Sequence, residues 1–201
     1  MSTLVLLRHG ESTWNKANKF TGWTDVPLSP KGEEEALAAG QKLSSYKFDK
    51  AYTSELIRAQ QTLTIVLKAI QQETIPITKD KALNERHYGE LQGLNKTETA
   101  KKFGAEQVHL WRRSYDIAPP GGESLKDTAE RAIPYFNKHI LTNLKKGLDI
   151  IVSAHGNSLR AIIMNLDKLS TDQVLKLELP TGVPVIYEFD KAGKILSKKI
   201  L

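Results

Sequence analysis

The chain has 201 residues, 40% of them apolar and 26% charged, with a net charge of +6 and no cysteine. That length suits one well-buried domain, read as residues 1–201, and the composition excludes a disordered chain, a disulfide scaffold and a cysteine-ligated metal. No run of roughly eighteen apolar residues occurs, so no membrane-spanning helix is expected.

The first element is an apolar strand, Thr3 to Leu7, that runs straight into Arg8, His9 and Gly10. Those polar residues come too early for a secretory leader, and a cytoplasmic location is expected. A polar, aromatic loop follows. The stretch "SPKGEEEALAAGQKL" then offers Ser29 as an N-cap, Pro30 at the first helical position and acids in the first turn. "FDKAYTS" reads as a short strand and "SELIRAQQTLTIVLKAI" as an amphipathic helix. "IPITKDKALNE" reads as a short strand and loop, and Asn95 to Arg113 is polar and helical in pattern. "APPGG", Ala118 to Gly122, is the strongest break. A helix with Pro134 inside it comes next, then a second apolar strand, "LDIIVSAHGNS", and the helix "SLRAIIMNL". "PVIYEFD" and "KILSKKIL" suggest a terminal hairpin across Lys191-Ala192-Gly193. Strands alternating with helices predict an α/β fold: a three-layer sandwich with a mostly parallel sheet and helices on both faces.

Lysine outnumbers arginine 22 to 7. The lysines alternate with acids along the helices, which is the pattern of a solvated surface, so no nucleic-acid partner is expected. Scarce arginines suggest placement where a planar, forked cation matters, as in recognition of phosphate or carboxylate.

"LLRHGES" and "VSAHGNS" share one plan: an apolar strand, one polar or small residue, His, Gly, one residue, Ser. In open α/β sheets ligands sit at the carboxyl ends of strands, which is where this plan puts His9 and His155. His109 and His139 lack such a context and are read as structural. No His-x-x-x-His spacing suggests a metal, no Gly-x-Ser-x-Gly elbow suggests a serine nucleophile, and no glycine-rich phosphate loop occurs. Histidine as a nucleophile towards phosphorus remains. Arginines around it would hold the charge of a moving phosphoryl group, and Glu85 in "LNERHYGELQG" is the candidate proton donor.

"LLRHGES", "SELIRAQQT", "LNERHYG" and "AHGNS" together resemble the histidine phosphatase superfamily. "RHGESTWNKANKFTGWTDVPLSPKG", "NERHYGELQGLNKTETAKKFG", "VHLWRRSY" and "PTGVPVIYEFD" are similar to the cofactor-dependent phosphoglycerate mutases within it, over nearly the whole chain. The resemblance implies interconversion of 3-phosphoglycerate and 2-phosphoglycerate, primed by 2,3-bisphosphoglycerate and without a metal. It implies His9 as the phosphorylated nucleophile, Arg8, Arg58 and His155 around the transferring group, and Glu85 as proton donor and acceptor. Ser12, Asn15, Thr21 and Gly22 match positions that hold phosphoglycerate, as do Arg86, Tyr88, Lys96, Arg112, Arg113, Gly156 and Asn157. Arg131 and Arg160 are left with helix-surface or packing roles, and Trp14, Trp23 and Trp111 with packing.

Two departures from the family pattern stand out. Only "IAPPGG" lies between Asp116 and Glu123, where longer members carry an inserted loop, and the sequence stops at Leu201 without the mobile tail of many members. A lid keeps water from a reactive phosphoenzyme, so measurable phosphatase leakage is expected. A monomer, or at most a small homo-oligomer, is expected. The competing reading is a phosphatase on the same scaffold. It has no need of the second cation cluster, Lys96 with Arg112 and Arg113.

Overall fold

The computed structural model describes residues 1–201. Strand β1 is Ser2–Arg8, β2 Lys50–Thr53, β3 Ile77–Lys79, β4 Ile150–Ala154, β5 Pro184–Phe189 and β6 Ile195–Ile200. They join in one sheet of order β3-β2-β4-β1-β5-β6. The first four strands pair in parallel, while β5 runs antiparallel to both β1 and β6. All the strands expected from the apolar runs are present, including the terminal hairpin.

The alternation along β1 divides the core. Leu4 and Leu6 face one side with Tyr52, Ile150 and Val152. Val5 and Leu7 face the other with Ala51 and Ile151. Successive strand side chains point to opposite faces, so an apolar run of this kind demands cover on both. On the Val5 side the cover is α2, Pro30–Lys42, and α3, Ile57–Ala69. On the Leu4 side it is the helical stretch from Leu125 to Lys145 and α8, Gly156–Asp167. The three-layer expectation is met.

Local chemistry explains the helix starts. Helix α1, Thr13–Lys16, is capped by Ser12, whose side chain accepts from the Asn15 amide at 3.1 Å. Ser29 caps α2 by accepting from the Gly32 amide at 3.1 Å, with Pro30 in the first turn. The turn after β1 presses on this helix start: a Cβ at Gly10 would lie 2.1 Å from the Gly32 carbonyl oxygen, and one at Gly32 would lie 2.0 Å from that of Glu11. Only glycine permits that approach.

Helices α4, Lys96–Phe103, and α5, Ala105–Arg113, form a hairpin through Gly104, whose φ is +89°. Helix α6, Leu125–Tyr135, continues through Pro134 into a π-helical stretch, Phe136–Leu141, and then α7, Thr142–Lys145. Proline removes one amide from the helical ladder, and a wider turn lets the chain go on without a break. Helix α9, Thr171–Lys176, is capped by Ser170. No helix is long and apolar enough to cross a membrane.

Candidate active site

Strand register creates the site. Arg8 lies opposite Ala154, and the His9 amide donates to the Ala154 carbonyl at 3.0 Å. Thr53 lies opposite Ser153 on the other side of β4. Three neighbouring parallel strands therefore deliver His9, His155 and Ser54 to one edge of the sheet. The two imidazole rings are 4.9 Å apart.

Hydrogen bonds fix the state of His9. Its Nδ1 is 2.6 Å from the Gly10 carbonyl oxygen. A carbonyl can only accept, so Nδ1 carries the proton and Nε2 keeps its lone pair. Arg58 Nε points at that nitrogen from 3.4 Å. Burial, then the charges of Arg58 and Arg8, holds the ring well below the ordinary histidine pKa. His9 is a neutral imidazole whose unprotonated Nε2 meets only the long contact from Arg58.

His155 lies behind it, fully buried, with Nε2 2.7 Å from Ser54 Oγ. Ser54 Oγ also accepts from the Leu56 amide at 3.2 Å. Burial, then Arg58 and His9, holds the His155 ring well below its ordinary pKa as well. Its Nδ1 has no partner in the protein.

The guanidinium of Arg58 is 1% exposed and bonds to the Gly22 carbonyl at 2.7 Å and the Thr24 carbonyl at 3.2 Å. Burial lowers its pKa to about 10, against the opposing charges of Glu85 and Asp25. It stays protonated at neutral pH. Gly22 holds φ at +53°, and a Cβ there would strike the Gln92 side chain at 2.1 Å, so the turn that presents this carbonyl needs glycine. Arg8 is anchored by Nη1 to the Leu179 carbonyl at 2.7 Å, while its Nε is buried without a partner.

Glu85 Oε1 accepts from the Arg86 amide at 2.9 Å and the Asn157 amide at 3.0 Å. Burial alone would raise this carboxyl. The Arg86 amide, the Arg58 and Arg8 charges and the Asn157 amide outweigh burial and hold it below the ordinary glutamate value. The segment around Glu85 is held from behind. Arg131 donates to the carbonyls of Lys81, Ala82, Asn84 and Glu85 at 2.9–3.3 Å, and to both carboxylate oxygens of Glu123 at 2.8–2.9 Å. Trp23 Nε1 also donates to the Glu85 carbonyl. The short 116–123 loop braces the same segment, with the Glu123 amide on the His87 carbonyl at 2.7 Å and the Glu90 amide on that of Pro120 at 3.0 Å.

These groups open on a cavity lined by seven cations: Arg8, Lys19, Arg58, Lys96, Arg112, Arg113 and Arg160. His9, Asn15, Thr21, Gly22, Glu85, Tyr88, Gly156 and Asn157 line it too, with Glu178 and Leu179. Burial pushes the Lys96 ammonium down; Tyr88 opposes that, and Arg112 and Arg8 add to it. Arg8 Nε, Thr21 Oγ1 and Arg113 Nη1 are buried polar atoms on this wall without a protein partner. Unsatisfied buried donors around such a cavity fit a bound anion with several charged groups. No group of three or more histidine, aspartate, cysteine or glutamate side chains gathers for a metal.

Most of the residues singled out in the sequence meet here, but three stand back. Ser12 is spent on capping α1. Arg86 is 1% exposed and donates to Tyr88 Oη and the Arg112 carbonyl, both at 3.0 Å, so it orients two lining residues from outside the wall. His155 sits behind His9. The packing role for Arg131 agrees with its clasp on the Glu85 segment. The surface or packing role for Arg160 is corrected: it lines the cavity, bonded to the Leu177 carbonyl at 2.8 Å. Its position three residues after Asn157 on α8 puts both on one helix face, a signal present in the sequence. Lys19 and Glu178 were also missed. Lys19 is one lysine among 22, and nothing local marks Glu178.

Comparison with known proteins agrees with this geometry. The histidine phosphatase superfamily (branch 1) family model matches residues 4–199. A phosphoglycerate mutase of Schizosaccharomyces pombe is 56% identical over 200 residues, covering 98% of this chain and 95% of that one. A 2,3-bisphosphoglycerate-dependent phosphoglycerate mutase of Parvibaculum lavamentivorans is also 56% identical over 200 residues, with the same coverage. Among solved structures, Bacillus stearothermophilus YhfR matches with a TM-score of 0.85 at 28% identity, covering 97% of this chain and 94% of that one. Phosphoglycerate mutase from Bacillus anthracis matches with a TM-score of 0.76 at 25% identity, covering 100% of this chain and 91% of that one. Near-complete coverage at this identity, on a sheet that presents His9 to a basic cavity with His155 behind it, places the chain in the histidine phosphatase superfamily, among the 2,3-bisphosphoglycerate-dependent phosphoglycerate mutases.

Proposed function

We propose that this protein interconverts 3-phosphoglycerate and 2-phosphoglycerate through phosphorylated His9, with residues 1–201 acting as one cytoplasmic catalytic unit. The observation that carries the reading is an unprotonated His9 Nε2 facing a cavity lined by seven cations. When bound, 2,3-bisphosphoglycerate supplies the phosphoryl group that primes His9.

In the forward step a substrate hydroxyl attacks the phosphorus on His9. The new O–P bond forms as the P–Nε2 bond breaks, and Glu85 takes the hydroxyl proton. In the return step Nε2 attacks the other phosphoryl group and Glu85 gives its proton to the leaving oxygen. The carboxyl is ionised at rest, which suits it to act first as the base. Arg8 and Arg58 stabilise charge on the equatorial oxygens. His155, with its Nε2 2.7 Å from Ser54 Oγ, backs the His9 ring from outside the wall. Lys96, Arg112 and Arg113 would hold the other end of the substrate, which has to be recognised in two poses.

The test supplies 3-phosphoglycerate with a trace of 2,3-bisphosphoglycerate and follows 2-phosphoglycerate and free phosphate together. Isomer should dominate. Mostly free phosphate with little isomer would make the protein a phosphatase instead.

A further inference from the structure

Glu178 lies in the strap Leu177–Leu179, the first part of the connection from α9 to β5. The strap is tied to the site by its backbone. The Leu177 carbonyl accepts from Arg160 Nε at 2.8 Å and the Leu179 carbonyl from Arg8 Nη1 at 2.7 Å. Between these anchors the Glu178 carboxylate reaches back over the cavity wall. Oε1 is 3.0 Å from Arg113 Nη2 and Oε2 is 3.7 Å from Arg160 Nη2. Its side chain is 67% exposed, against 30% for Arg113 and 13% for Arg160, so it meets the arginines from the solvent side.

A structural role explains little of this. Arg160 is already held by the Leu177 carbonyl, and ion pairs this exposed add little to stability. What the carboxylate does supply is negative charge, on two cations of a cavity whose chemistry suits anions. Glu85, the other acid on the wall, has its Oε1 committed to two backbone amides. Glu178 has only the arginines.

We propose that Glu178 is a specificity-determining residue: a tethered carboxylate that occupies the position of the ligand's second anionic group and must be displaced from Arg113 and Arg160 when that group binds. The proposal rests on the phosphoglycerate reading above. A ligand with a phosphate and a carboxylate brings its own charge for the two arginines and competes with Glu178 directly. A phosphate ester with no second anion leaves the pair intact. Glu178 therefore weakens the grip on doubly anionic ligands and eases their release from a strongly basic cavity.

The test is titration calorimetry on the full-length protein and its Glu178→Gln variant, which keeps the shape and removes the charge. The two probes are 3-phosphoglycerate and glycerol 3-phosphate, which lacks the carboxylate. The variant should bind 3-phosphoglycerate more tightly by up to about fivefold, the upper end for an exposed ion pair. Glycerol 3-phosphate should shift by clearly less. Weaker binding of 3-phosphoglycerate by the variant would mean that the carboxylate positions the arginines, and would overturn the proposal. Equal shifts for both probes, or none, would overturn it as well. Wild-type protein that binds no 3-phosphoglycerate would instead sink the functional reading, and the proposal with it.

Discussion

His9 and His155 hang from the ends of β1 and β4, between buried clusters of 17 and 11 residues on the two faces of the sheet. Lys96, Arg112 and Arg113 ride on α4 and α5, which rest on a cluster of four: Phe20, Leu91, Val108 and Trp111. His9 and the three cations line one cavity, but their supports differ greatly in depth. Packed cores hold their members to one arrangement, whereas a thin cluster opens at low cost in free energy. The nucleophile is thus fixed by the sheet, while the cations for the far end of the ligand sit on an element able to adjust. A substrate that must be held in two poses fits that division.

The largest effect should come from the fixed end. Glu85→Gln keeps an oxygen for the Arg86 and Asn157 amides but cannot carry the proton. It should lower kcat about 10²- to 10³-fold with KM little changed. Equal losses in both constants would mean that the segment had moved rather than lost its base. The adjustable end should answer in the opposite way. Arg112→Ala should raise KM for 3-phosphoglycerate about ten- to a hundredfold, the cost of one charge-assisted hydrogen bond, with a smaller change in kcat. A drop confined to kcat would place Arg112 at the reacting phosphorus.

Trp111→Ala separates the two supports. It removes the largest member of the small cluster without touching the sheet. Hydrogen exchange should then speed up in 96–113 and stay slow in β1 and β4, with KM raised a few-fold. Uniform loss of protection would contradict two independent supports. The smallest effect concerns pH. Burial keeps both His9 and His155 from taking protons in the folded state. Below about pH 6.5 the unfolded chain binds protons that the folded rings refuse, so stability falls with falling pH, by at most about 1.4 kcal/mol per unit for each ring. Denaturant midpoints at pH 8 and pH 5.5 measure this, and His155→Asn should lose less than wild type over that range.

Much of the fixed end was legible in the sequence. Apolar runs ending in polar residues mark β1 and β4, and the shared His-Gly pattern marks what they carry. The Ser29-Pro30 start of α2 follows from capping chemistry alone. The adjustable end was harder. Lys96, Arg112 and Arg113 came through resemblance, because a helix face of lysine and arginine looks the same over solvent as over a cavity. Glu178 depends on the strap after α9 folding back over α8, a tertiary contact with no local pattern, whereas Arg160 had a cue in its spacing from Asn157. Arg86 shows the opposite failure: it lies in the right motif, yet turns away to orient Tyr88 and Arg112. His155 lies just past the end of its strand, as its pattern implied, but register alone could not say that it would stand behind His9 with Ser54 as its partner.

The most direct test of the central claim is transfer of radiolabelled phosphate from 2,3-bisphosphoglycerate to the protein, followed by mapping of the acid-labile label. The label should sit on His9, should be absent from a folded His9→Ala variant, and should chase into phosphoglycerate when unlabelled 3-phosphoglycerate is added. Label retained in that variant, or a label on His9 that leaves only as free phosphate, would contradict a mutase that works through His9.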